Sequence, residues 1–75
     1  MRRFTDAEGR NWDVTIGRES WGALYALFIP VGSRTEPVRQ ALLQASDHIA
    51  AERELDAMDE AALRALLQRS VPRET

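Results

Sequence analysis

The sequence predicts an α+β domain: an N-terminal antiparallel β-meander of three strands, or four, packed against one or two C-terminal helices. Three observations carry this reading. An unbroken apolar run spans Gly22 to Val31, a strict apolar–polar alternation precedes it between Asn11 and Arg18, and from Ser46 onward apolar residues recur at steps of three and four. The run, Gly-Ala-Leu-Tyr-Ala-Leu-Phe-Ile-Pro-Val, is the element around which the others are arranged. As a strand it directs Leu24, Ala26 and Phe28 to one face and Tyr25, Leu27, Ile29 and Val31 to the other, so both faces are apolar and both need cover. A helix here lacks polar positions at helical spacing, is bounded by Gly22 and Gly32, and loses its last turn to Pro30.

Two shorter strands are expected at Arg2 to Thr5 and Asn11 to Arg18. Asp6-Ala7-Glu8-Gly9-Arg10 joins them, with Asp at the first turn position and Gly three residues later, the composition of a type I turn closed by a residue at positive φ. In the second strand Trp12, Val14 and Ile16 share one face, with Phe4 beside them, while Asp13, Thr15 and Gly17 share the other. Gly17 to Gly22 reverses the chain, and glycines at both ends are expected to supply unusual backbone angles. After the break at Gly32 to Pro37, residues 37–45 are read either as a helix, with Thr35 as cap and Pro37 in its first turn, or as a fourth strand returning along the apolar run.

From Ser46 the chain reads as helix. Ser46 or Asp47 caps a segment to about Asp56, and Asp59 caps a second, so 46–69 is one bent helix or two. Ala51, Leu55, Met58, Ala62 and Leu66, widened by Leu63 and Leu67, form a stripe that fits one face of the sheet. A single domain over residues 1–70 is expected, with 71–75 as a frayed tail.

A chain of 75 residues buries only about 60% of its unfolded surface, so its stability margin is thin. Cysteine is absent, which removes disulfides and thiolate metal sites and fits a reducing compartment. No apolar signal core follows Met1, and the central run is too short to span a bilayer, so a cytoplasmic protein without membrane association is expected. The net charge of −2 argues against a partner selected by long-range attraction to phosphate. Residues 1–39 hold six Arg against five acids and residues 40–75 four Arg against seven acids, an asymmetry too mild to name a partner.

No motif carries catalysis. His48 is the only histidine, and without cysteine a transition-metal site lacks the ligands it prefers. Glu52, Glu54, Asp56, Asp59 and Glu60 lack the spacing of a calcium loop and read as a solvated helix face with a Glu60–Arg64 pair. Ser20 lacks the preceding glycine of a nucleophile elbow, and the glycines match no phosphate-binding loop. The expectation is a non-enzymatic protein with no cofactor, no metal and no small-molecule ligand. Its function is read as a small interaction module that forms a homodimer or binds another protein through its sheet, because one helical layer covers only one face of the central strand. Trp21, Tyr25 and Phe28 are the aromatic candidates for that interface. The alternative is a single-stranded nucleic-acid-binding module using Arg2, Arg3, Arg10 and Arg18 of the hairpin together with Trp12, Trp21 and Tyr25; against it, Trp12 shares a face with Val14 and Ile16 and reads as core.

Overall fold

The computed structural model describes residues 2–19, 22–33 and 35–73; the expectations for Ser20 and Trp21 fall outside them. Among the described residues the chain forms β1 (Arg2–Thr5), β2 (Asn11–Arg18), β3 (Leu24–Pro30), β4 (Arg39–Leu42), α1 (His48–Asp56), α2 (Glu60–Arg69) and β5 (Val71–Pro72). The strands lie in sequence order, every neighbour antiparallel, with both helices against one face. This is the α+β arrangement expected, with strands first and helices after.

The two hairpin turns use one device. Gly9 N–H donates to Asp6 O and Asp6 N–H to Arg10 O in the first; Gly22 N–H donates to Glu19 O and Glu19 N–H to Ala23 O in the second. Gly9 and Gly22 take φ of +83° and +95°, angles that side chains with a Cβ disfavour. Gly17 differs from expectation, since its backbone is ordinary strand. Its role is steric: a Cβ there would lie 2.7 Å from Leu27 Cδ1, so the missing side chain is what lets Leu27 lie across β2.

Residues 39–42 resolve as strand, not helix. Their ladder with β3, running from Tyr25↔Leu42 to Phe28↔Arg39, satisfies an edge that would otherwise face solvent unpaired, and this outweighs a modest helical preference. The expected tail is corrected over residues 71–73, while Glu74 and Thr75 lie outside the described residues. Val71–Pro72 pairs with Gln40 and Arg39, and Arg73 N–H donates to Val38 O at 2.7 Å. Proline is tolerated there because the strand lies at the sheet margin.

Alternation along the strands places Phe4, Trp12, Val14, Leu24, Ala26, Phe28 and Ala41 on the helical side, where they meet Ala51 and Leu55 of α1 and Leu63, Leu66 and Leu67 of α2. The helices are separate, joined by Ala57, Met58 and Asp59. Asp47 accepts from Ala50 N–H and Asp59 from Ala62 N–H, both at 2.8 Å, as N-caps. Each helix also ends on an arginine from the sheet. Arg2 of β1 donates to Leu55 O (3.0 Å) and Met58 O at the end of α1, and Arg39 of β4 donates to Ser70 Oγ (2.8 Å) and Ser70 O (2.6 Å) at the end of α2. Cations there satisfy free carbonyls and complement the helix dipole.

Replacing Arg2 by Met keeps the aliphatic stem and removes both charge-assisted bonds. Urea denaturation is expected to show a loss of about 1.5–3 kcal/mol, against less than about 0.5 kcal/mol for Arg18→Met at the exposed end of β2.

Candidate interaction surface

With the helices on one side, the other face of the sheet carries the residues that alternate with the core. The register sets them in rows: Arg3, Asp13 and Ile29; Thr15, Leu27, Gln40 and Val71; Gly17, Tyr25 and Leu42. Tyr25, Leu27 and Ile29 are partly covered, whereas Leu42 and Val71 are 62% and 55% exposed. Part of the cover comes from the chain itself. Arg73 donates to Gln40 Oε1 at 3.0 Å and pairs with Glu19 at 3.4 Å, so the last strand and the β2–β3 turn are drawn together although β3 and β4 lie between them. A sheet coiled that far shelters the middle of its own second face and leaves the β4–β5 margin open. There Tyr25, Leu42 and Val71, with Leu66 and Arg69, line a depression of about 400 Å³.

The aromatic candidates separate. Tyr25 is on this second face, opposite Leu42. Phe28 is not: it is fully buried on the helical side, edge-on to Phe4 with ring centroids 5.9 Å apart, because it shares the parity of Leu24 and Ala26. Phe28 is therefore core, and Trp21 lies outside the described residues. Leu42 and Val71 were missed by the sequence reading, and both depend on pairings that local pattern does not reveal. The usable signal was the alternation in the central run, which places Leu27 and Ile29 with Tyr25.

Three of the four hairpin arginines are engaged within the fold. Arg2 closes α1, and Arg3 Nε donates to Asp13 Oδ1 at 2.9 Å. Arg10 reaches Asp6 (3.1 Å), Glu36 (2.9 Å) and Glu8 (3.5 Å). Trp12 is buried and donates its Nε1–H to Asp6 Oδ2 at 2.9 Å, so it offers no stacking surface. Arg18 is exposed at the end of β2.

Asp6 is the buried carboxylate of the molecule's polar end. Besides Trp12 and the Arg10 guanidinium it accepts the backbone N–H groups of Glu8 and Arg10, at 2.9 and 2.8 Å. Burial pushes its carboxyl upward, but the Trp12 bond, the two backbone bonds and the Arg10 charge together outweigh that and hold it below the ordinary carboxylate value. Asp13 is held low too, first by the hydrogen bond from Arg3, which burial opposes, and then to a lesser extent by the Arg3 charge. The cavity of about 250 Å³ beside Asp6 is walled by Arg10, Arg39 and Arg64. Each is already anchored, Arg64 by donating to Thr5 O at 2.8 Å, so this is a structural clamp.

His48 and Glu52 pair at 2.8 Å on exposed α1, and Glu60 and Arg64 at 3.9 Å on α2. Among the described residues no three metal-ligating side chains converge, and no helix is long and apolar enough to cross a membrane. Comparison with models of protein families, with curated proteins and with solved structures finds no match to this chain.

Because Asp6 and Asp13 bind protons less readily folded than unfolded, their stabilisation is complete above the ordinary carboxylate range, about pH 4, and is lost as pH falls through their lower folded values. Urea midpoints are expected to decline on acidification through that window. Asp6→Asn should lower stability at neutral pH by about 2–3 kcal/mol and flatten the acid limb.

Proposed function

We propose that the chain is a non-catalytic interaction module that docks another protein on the second face of its sheet, at the β4–β5 margin. The observation that supports this most directly is the juxtaposition of Leu42 and Val71, two large apolar side chains more than half exposed at diagonal positions of adjacent strands beside Tyr25. Exposed aliphatic side chains standing singly are ordinary; contiguous ones beside an aromatic, rimmed by Gln40 and Arg69, have the make-up of a binding patch with a polar border. Neither side chain is needed for the core, so substitution there separates binding from folding.

A photoreactive phenylalanine analogue placed at Val71, in cells that naturally make the protein, is expected to give covalent adducts with protein; the same group at Arg53, exposed on α1, is expected to give none. Leu42→Lys should reduce the Val71 adducts while shifting stability by less than about 0.5 kcal/mol. No adduct from Val71, or equal adducts from both positions, would contradict the reading.

A further inference from the structure

The long second strand overhangs the first. β1 pairs with β2 only from Asn11 to Val14, and β2 continues to Arg18. Which backbone groups are left can be read from the ladder. Val31 N–H donates to Asn11 O and Glu19 N–H to Ala23 O, so the odd-numbered residues of β2 direct their amides toward β3. The even-numbered ones face the opposite way: Trp12 and Val14 toward β1, then Ile16 and Arg18 toward no strand. Among the described residues nothing bonds the N–H or C=O of either.

Parts of the sheet's other margins are covered. Thr5 N–H and C=O on the outer side of β1 are taken by Glu60 and Arg64 of α2, and β5 pairs with Arg39 and Gln40 of β4. Among the described residues the stretch Thr15–Arg18 has no such cover.

We infer that this edge pairs with the same edge of a second copy, β2 antiparallel to β2 about a two-fold axis at Gly17. That register sets Ile16 opposite the partner copy's Arg18 and Arg18 opposite its Ile16. Both residues present free amides, so each pair exchanges two hydrogen bonds, four in all. Gly17 meets Gly17 at the axis, where strands approach to about 4.5 Å between Cα atoms, and the side chain lying over each glycine is that copy's own Leu27.

Charge agrees with the register. Even-numbered residues of β2 point to the helical side, so Arg18 of one copy arrives beside Ile16 of the other. There a cavity of about 340 Å³ is lined by Ile16, His48, Glu52 and Asp56, together with Arg2. Glu52, which pairs with His48, and Asp56 are exposed carboxylates of α1, Arg2 is already committed to α1 carbonyls, and Arg18 brings a further cation to them. The axis is perpendicular to the sheet. Both second faces then lie on one side of a continuous ten-stranded sheet, doubling the docking surface proposed above without depending on it.

Sedimentation velocity from about 1 µM to about 1 mM is expected to carry the weight-average mass from one chain to two, since so short an edge gives only a weak dimer. Amide exchange at Ile16 and Arg18 should slow with concentration while that at Arg3 does not. Arg18→Glu is expected to weaken the dimer at least tenfold, as is Glu52→Arg, and the double exchange to recover most of the loss. A single chain at 1 mM, a dimer without protection at Ile16 and Arg18, or a double variant no better than the singles would overturn the inference. Circular dichroism verifies that the variants fold, and the wild-type exchange result stands without them. Adducts at Val71 with other proteins from a chain that never dimerises would sink this proposal alone.

Discussion

The constraint on which the rest depends is that β3 is apolar on both sides while the chain owns a single helical layer. Leu24, Ala26 and Phe28 go to the helices and form the centre of the core; Tyr25, Leu27 and Ile29 necessarily face away. A one-residue slip would exchange the two sets, so the register of the whole meander is set by which set packs better against α1 and α2. The second face is then handled by partial measures. Gly17 lets Leu27 lie down across β2, and the Glu19–Arg73 pair draws distant parts of the sheet together above Gln40.

A domain this small without disulfides needs its polar groups to act as fasteners, and they do so in a consistent pattern. Each helix begins on an aspartate of its own loop and ends on an arginine borrowed from the sheet, Arg2 for α1 and Arg39 for α2. In return α2 covers the backbone of Thr5 through Glu60 and Arg64. Helix capping, helix-to-sheet attachment and edge protection are thus performed by the same few side chains. Asp6 does the equivalent for the first hairpin, holding Trp12 and Arg10 and two turn amides at once. Four acceptances by one buried carboxylate explain why it remains charged where burial alone would favour a proton.

Much of the fold was legible in the residues. The bounds of β1 and β2, the turn glycine at position 9 and the Asp59 cap follow from alternation, turn chemistry and capping, all local properties, whereas Asp47 was one of two candidate caps and the break between the helices one of two readings. What was not legible is non-local. Residues 39–42 are strand because β3 offers a ladder, and Val71–Pro72 is strand because α2 ends where β4 still has an open margin. The interaction surface suffered from the same limit. Tyr25 could be placed from parity, but Phe28 was assigned to the interface on its aromatic character although its parity is that of Leu24. Leu42 and Val71 become neighbours of Tyr25 only once β4 and β5 are in place.

The account stands on the β4–β5 margin of the sheet's second face staying open in a lone chain. Selective methyl labelling with a soluble paramagnetic agent in dilute solution tests this most directly. Strong relaxation enhancement is expected for Leu42 and Val71, less for Leu27 and Ile29, and almost none for Leu63 and Leu66. Shielding of Leu42 and Val71 as complete as that of Leu63, at concentrations where only single chains are present, would contradict it.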